Sequence, residues 1–158
     1  RDREDAAPNS CAIGRSARDA SVVVTTGLLD LMDRVELEGI VAHELAHIRS
    51  GDTALSGTAA LLLGLPSQVF GAALSPLLDR VVGNDRESFA DISGCRMTRY
   101  PPGLVSALEK IRDAGRAMRR PAKATAHLWL VDPSGPGSVR SPRRRHPLDE
   151  RIALLREL

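Results

Sequence analysis

The five-residue run from His43 to His47, His-Glu-Leu-Ala-His, constrains this chain more than any other stretch. Two histidines four residues apart lie on one face of a helix, about 5–6 Å apart at Cβ, and can reach one tetrahedral zinc ion. Glu44, next to the first histidine, is placed to accept a proton from metal-bound water. The same pattern also occurs by chance in helices that hold no metal. A third protein ligand therefore has to decide between the two interpretations.

Local signals predict that this run lies on a helix over residues 36–50. Asp33 followed by Glu36 forms a capping-box-like start, and Gly51 stands where a C′ glycine ends a helix. Apolar residues at helical spacing give the helix a face to bury. These residues are Leu37, Ile40, Val41, Leu45 and Ile48.

A second predicted helix, which Asn84 could cap, offers the third ligand. Glu87 and Asp91 stand four residues apart on one face of this helix. Glu87 would complete the three protein ligands that a catalytic zinc needs beside its open position. Asp91 would accept a hydrogen bond from a liganding histidine, His43, and fix its tautomer. The alternative is an exposed acidic pair on a solvated helix, which the neighbouring Arg86 would suit.

These residues resemble the HtpX-type membrane zinc metallopeptidases, which are related to the CAAX prenyl endopeptidases. The resemblance rests on the run from His43 and on the downstream Glu87-x-x-Ala90-Asp91. Three flanking segments in family order add to it. They are Pro8-Asn9-Ser10-Cys11-Ala12-Ile13-Gly14, Thr26-Gly27-Leu28-Leu29 and His146-Pro147-Leu148-Asp149-Glu150-Arg151-Ile152. The chain departs from the family pattern at Ser10, where alanine is usual, and in the arginine- and glycine-rich tract before His146.

The resemblance implies an α+β fold, mainly helical and zincin-like, with a small antiparallel sheet beside the zinc helix. It implies one zinc ion per chain, held by His43, His47 and Glu87, with Glu44 as the general base of a metalloendopeptidase. Misfolded or membrane proteins would be the polypeptide substrates, in quality control at the cytoplasmic face of the inner or plasma membrane. A non-catalytic zinc-binding scaffold at the membrane is the alternative, and the retained Glu44 argues against it.

Strands are predicted over residues 10–13 and 20–26, and further helices over 27–32, 85–98, 102–114 and 147–158. By resemblance the first strand is an exposed edge near the catalytic helix, formed by Ser10, Cys11, Ala12 and Ile13. An extended substrate could pair with such an edge by strand addition. An ordinary solvent-facing hairpin is the alternative.

Three further residues are candidates for the surroundings of the site. By resemblance His146 donates a hydrogen bond to the developing oxyanion, although it could also be only a helix-entry histidine before Pro147. Arg151 is expected to hold a carboxylate of the site, for example Asp91; contact with the substrate is the alternative. Asp52, just past the zinc helix, is either a supporting residue of the site or a loop residue.

We expect residues 1–158 to form a single metallopeptidase domain that includes an uncharged segment, 53–78. This segment is long enough to span a bilayer, but Pro66 and Pro76 interrupt it. Two helices broken near Pro66 that contact lipid in the parent protein are favoured. The alternatives are a full span and a helical hairpin that is buried against the site or lies on a membrane surface. Because the chain begins at Arg1 without methionine, it is expected to be a soluble fragment of a longer protein.

Composition excludes two other classes of protein. A net charge of +2 with 3% aromatic residues argues against a basic nucleic-acid- or lipid-binding module, so no nucleic-acid partner is expected. Cys11 and Cys95 are too few for a disulfide scaffold and are expected to be reduced thiols. At 42% hydrophobic and 27% charged residues, the chain has an ordinary globular composition.

Overall fold

The computed structural model describes residues 2–53, 85–120, 123–135 and 147–158. Within these ranges the chain forms three strands, five α-helices and one 3₁₀ helix. The strands are β1 (Asp2–Arg3), β2 (Ser10–Ile13) and β3 (Ser21–Thr25). The helices are α1 (Thr26–Leu31), α2 (Arg34–Arg49), α3 (Asp85–Thr98), α4 (Pro101–Ala114), the 3₁₀ helix (Lys123–Leu128) and α5 (Leu148–Arg156). The predicted fold class, mainly helical α+β with a small sheet, is confirmed.

The sheet has the order β1–β3–β2. Strands β2 and β3 are antiparallel, with Ser10 opposite Val24 and Ile13 opposite Ser21. The short β1 runs parallel to β3 on its other side. Strand β2 therefore lies at one edge of the three strands. Its first residue, Ser10, contacts Glu44 of α2.

Helix α2 begins with the capping box that the sequence predicted. Asp33 Oδ1 accepts a hydrogen bond from Glu36 N, and Glu36 Oε2 accepts one from Asp33 N, both at 2.9 Å. Glu36 also accepts hydrogen bonds from Ser106 Oγ at 2.5 Å and Lys110 Nζ at 2.7 Å on α4. One carboxylate therefore caps α2 and ties it to α4. Gly51 follows the helix with φ +79°, a conformation that costs glycine little.

The main core is formed mainly by residues of the five described α-helices, with Val24 of β3 packed against it. Its buried members are Leu28, Met32, Ile40, Cys95, Leu104, Ala107, Leu108, Ile111, Leu130, Ile152 and Leu155. A smaller cluster contains Ala7, Cys11, Met118 and Trp129. The two cysteines, both within the described ranges, are thus buried thiols in different clusters.

Helix α3 packs closely on α2 because Gly94 has no side chain. A Cβ at Gly94 would lie 2.9 Å from the backbone N of His43, closer than real Cβ contacts come. The close approach places the N-terminal half of α3, with its acidic residues, beside the histidine face of α2.

In the described part of the chain, no helix is both long enough and apolar enough to cross a membrane. Residues 54–78 of the uncharged segment lie outside the described ranges, as does Asn84. The interpretations of that segment and of the Asn84 cap remain predictions.

Candidate metal centre

Three side chains from two helices converge on one point. His43 Nε2 and His47 Nε2 on α2 are 3.2 Å apart. Glu87 on α3 places Oε2 3.8 Å from His43 Nε2 and Oε1 3.6 Å from His47 Nε2. The three ligand atoms all lie within 4.8 Å of one another.

This donor set fits a tetrahedral zinc ion. Zinc bonds to imidazole nitrogen and carboxylate oxygen are about 2.0–2.2 Å long, so tetrahedral ligand atoms stand about 3.4 Å apart. The separation of the two histidine nitrogens and the distance from each of them to its nearer recorded Glu87 oxygen, Oε2 for His43 and Oε1 for His47, lie on either side of that value. His43 is completely buried, whereas the side chains of His47 and Glu87 are 14% and 15% exposed. Solvent therefore reaches the site from the side of His47 and Glu87.

A buried carboxylate supports His43 from behind. Asp91 Oδ1 lies 2.8 Å from His43 Nδ1. Arg151 donates to both oxygens of Asp91, from Nε and from Nη2, each at 2.7 Å. This bidentate geometry matches the planar guanidinium to the carboxylate. The structure thus brings Arg151 to Asp91, with which the sequence analysis paired it.

Asp91 and Arg151 together influence the pKa and the tautomer of His43. Burial alone would raise the pKa of Asp91, but the charge and hydrogen bonds of Arg151 outweigh it and hold that pKa well below its usual range. Burial likewise lowers the pKa of His43, and the hydrogen bond and charge of Asp91 raise it above 6.5 overall. In the neutral ring, an ionised Asp91 keeps the proton of His43 on Nδ1, and Nε2 is then available as a metal ligand.

Arg151 makes two further contacts in the site. Its Nη1 donates to the carbonyl oxygen of Leu130 at 2.9 Å and lies 3.3 Å from Glu87 Oε2. One buried cation therefore links α5 to Glu87, to Asp91 and to the segment after the 3₁₀ helix.

His47 has a similar support on its more open side. Asp52 Oδ2 lies 3.1 Å from His47 Nδ1, and Arg86 Nη2 lies 2.7 Å from Asp52 Oδ1. Burial raises the pKa of Asp52, but the hydrogen bonds with His47, Ser50 and Arg86 outweigh it and lower that pKa well below its usual range.

Sequence reasoning missed the role of Arg86. In the sequence it suits only a solvated acidic helix, yet its side chain is 18% exposed and pairs with Asp52. Its position directly before the candidate ligand Glu87 is the one signal that the sequence offers.

Glu44 is also buried, with 1% of its surface exposed. Ser10 Oγ, on the neighbouring strand β2, donates a hydrogen bond of 2.6 Å to Glu44 Oε1. Burial raises the pKa of Glu44, and the nearby His43 and the bond from Ser10 offset only part of that increase. The sequence placed Ser10 in a substrate strand and gave no sign of this contact.

The expectation of an exposed edge over Ser10–Ile13 is wrong for its first three residues, which are buried; the last is 43% exposed. Leu130 N donates to Ser10 O at 2.8 Å, and Cys11 forms an antiparallel bridge with Trp129. Trp129 and Leu130 are held there because each is buried in a core cluster. The outer edge of β2 is therefore already paired at its start.

His146 lies in the range 136–146, outside the described residues. Its assignment as an oxyanion donor remains a prediction.

Two histidines one helical turn apart, with a carboxylate from a second helix on an α+β fold, define the zincin-like metallopeptidases. Within that class, the chain belongs to peptidase family M48, whose sequence profile matches residues 2–158. The predicted resemblance to HtpX-type metallopeptidases is confirmed by this match and by the curated relatives.

Those relatives carry the name "Protease HtpX homolog". The one from Dictyoglomus thermophilum is 35% identical, in an alignment covering 97% of this chain and 61% of the relative. That from Tropheryma whipplei (strain Twist) is 33% identical, covering 98% and 64%. That from Salinibacter ruber is 34% identical, covering 96% and 64%. The chain thus spans just over three fifths of the length of these relatives. No solved structure matches it.

Proposed function

We propose that this chain is the catalytic part of a zinc-dependent metalloendopeptidase. His43, His47 and Glu87 would bind one zinc ion per chain, and Glu44 would act as general base. The observation that carries the proposal is the convergence of the three ligand atoms at separations that suit zinc. Membership of family M48 and the name of the relatives support hydrolysis of polypeptides as the reaction.

Zinc bound there would polarise the carbonyl of the scissile peptide and lower the pKa of a bound water to about 7. Glu44 lies in the helical turn between His43 and His47, and its carboxylate interacts electrostatically with both histidines and with Glu87. It accepts a proton from the attacking water and returns it to the leaving amine. A buried carboxylate suits this transfer because bulk water does not compete for its lone pairs.

The remaining residues of the site orient the ligands. Asp91 holds His43, and Asp52 holds His47, each through Nδ1. Both arrangements turn Nε2 of the ring towards the metal position. Arg151 keeps Asp91 ionised and lies next to Glu87, so it fixes two elements of the site at once.

The substrate and setting are proposed from the resemblance to HtpX-type enzymes. The substrates would be misfolded or membrane proteins, cleaved at the cytoplasmic face of the membrane, with residues 53–78 in contact with lipid in the parent protein. Pairing of an extended substrate with β2 is restricted to its exposed end at Ile13, because Leu130 already pairs with Ser10.

Elemental analysis and peptide hydrolysis, measured on the same preparations, test the proposal. We expect about one zinc per chain, strong loss of zinc in Glu87→Ala, and full zinc occupancy with hydrolysis reduced about 10²–10⁴-fold in Glu44→Gln. Glu38→Ala, an exposed carboxylate on α2, is the matched control and should change neither quantity. Full zinc occupancy without hydrolysis in the unmutated parent, over many peptides, would favour the non-catalytic scaffold instead.

A further inference from the structure

The hydrogen bond between Ser10 and Glu44 occurs where the chain departs from the family pattern. Ser10 Oγ and Glu44 Oε1 are 2.6 Å apart, a distance typical of a hydroxyl bonded to an ionised carboxylate. Ser10 is 0% exposed and Glu44 1%. A short bond between two buried side chains is neither screened by salt nor exchanged with water.

The backbone holds the Ser10 hydroxyl in place. Ser10 N donates to Asn9 Oδ1 at 3.1 Å, and Ser10 O accepts from Leu130 N at 2.8 Å. The amide of Asn9 in turn binds both the N and the O of Val131, at 3.2 and 3.0 Å. Strand β2 therefore presents the hydroxyl from a fixed position, and Glu44 rather than Ser10 is the partner that the bond orients.

We propose that Ser10 is a positioning residue for the general base. Its hydroxyl fixes one oxygen of Glu44 against β2, which stops the carboxylate rotating about its last bond and keeps it aimed at the attacking water. The bond forms across 34 positions of the chain, between the sheet and the zinc helix. An alanine at position 10 leaves this oxygen without that donor. The inference deepens the proposed function and rests on it.

A purely structural role is the competing explanation, because any donor would satisfy a buried carboxylate. The chain offers a matched control for it. Ser106 Oγ donates to the buried Glu36 carboxylate at 2.5 Å, in the α2–α4 contact rather than in the metal centre. Ser10→Ala and Ser106→Ala therefore remove the same kind of bond, one inside the site and one outside it.

The experiment compares these two variants with the unmutated chain. We expect Ser10→Ala to lower kcat about tenfold, with KM and zinc affinity changed less than about twofold. Ser106→Ala should leave kcat unchanged while shifting the urea midpoint of unfolding. In the metal-free protein, Ser10→Ala and Glu44→Ala should shift that midpoint non-additively, because each variant removes the other residue's partner.

Each outcome is decisive. Additive shifts in the metal-free protein would show that the bond is absent and overturn the proposal. Non-additive shifts with an unchanged or raised kcat in Ser10→Ala would make the bond merely structural and also overturn it. If Glu44→Gln fails to reduce hydrolysis, the proposed function itself falls, whereas a loss in Glu44→Gln but none in Ser10→Ala refutes only the role of Ser10.

Discussion

The buried pair of Arg151 and Asp91 is the contact whose loss should cost this fold most. Arg151 is 3% exposed and Asp91 0%, and two hydrogen bonds of 2.7 Å join them. Arg151→Met keeps most of the apolar stem and removes the guanidinium. The buried carboxylate of Asp91 would then lose the guanidinium and keep only its contact with His43 Nδ1, and the carbonyl of Leu130 would lose the donor that Arg151 supplies.

The expected loss follows from that geometry. Removing one partner of a buried ion pair costs about 3–5 kcal/mol, because the other charge stays buried and uncompensated. With a urea m-value of about 2 kcal/mol/M, the midpoint of unfolding should fall by roughly 2 M. Urea titration of the metal-free chain, followed by circular dichroism, measures this shift without any contribution from zinc binding.

A matched control lies on the same helix. Arg156 also pairs with a carboxylate, Glu109, but its side chain is 64% exposed. Arg156→Met should therefore cost less than about 1 kcal/mol. The double variant Arg151→Met/Asp91→Asn should be more stable than the sum of its single changes, since it removes the charge of Asp91 together with that of Arg151. A loss in Arg151→Met no larger than in Arg156→Met would refute the reasoning.

Two further predictions concern the supports of α2. Burial raises the pKa of Glu36, but the hydrogen bonds from Lys110 and Ser106 lower it below 4.5 overall. The ionised Glu36 therefore stabilises the folded chain above pH about 4.5. This contribution is lost as the pH falls through the folded-state pKa. Urea midpoints measured from pH 7 to 3 should fall less steeply for Glu36→Gln than for the unmutated chain, and parallel curves would contradict this. Gly94→Ala should destabilise the fold by about 1–3 kcal/mol and weaken zinc binding, since its Cβ would press on the backbone of His43. Unchanged melting and zinc affinity in that variant would mean that α2 and α3 are not in close contact there.

Features that depend on local chain geometry could be predicted from the sequence. The four-residue spacing of His43 and His47 fixes a shared helical face, and the capping box of Asp33 and Glu36 forms as predicted. Apart from β1 and the 3₁₀ helix, which the sequence analysis did not predict, the described helices and strands begin and end within two residues of the predicted bounds, the ordinary uncertainty of element ends. The shared helix face of Glu87 and Asp91 could be predicted because these residues have the same four-residue spacing.

Features that depend on tertiary packing could not be predicted in this way. Trp129 and Leu130 belong to a short apolar stretch of the sequence, and in the structure they pair with Cys11 and Ser10 at the start of β2. The periodicity of the two segments does not predict that pairing. It depends on the burial of Trp129 and Leu130 in their two core clusters, which arises only when the chain packs.

The contact of Arg86 could not be predicted for a related reason. In the sequence, Arg86 stands next to Glu87 and suits a solvent-exposed helix face. Only the folded chain brings Asp52 into contact with it.

The last prediction follows from the unequal burial of the two histidine supports. Both use a carboxylate on Nδ1 backed by an arginine, but Asp91 is 0% exposed whereas the side chain of Asp52 is 17% exposed. Loss of such a support typically weakens metal binding about 10–100-fold. Water can replace part of the contact at Asp52 but not at Asp91, so Asp91→Asn should fall near the upper end of that range and Asp52→Asn near the lower end. Zinc affinity, measured by competition with a chelator on variants shown to be folded by circular dichroism, gives the comparison. Equal losses, or a larger one at Asp52, would show that burial does not set the strength of these supports.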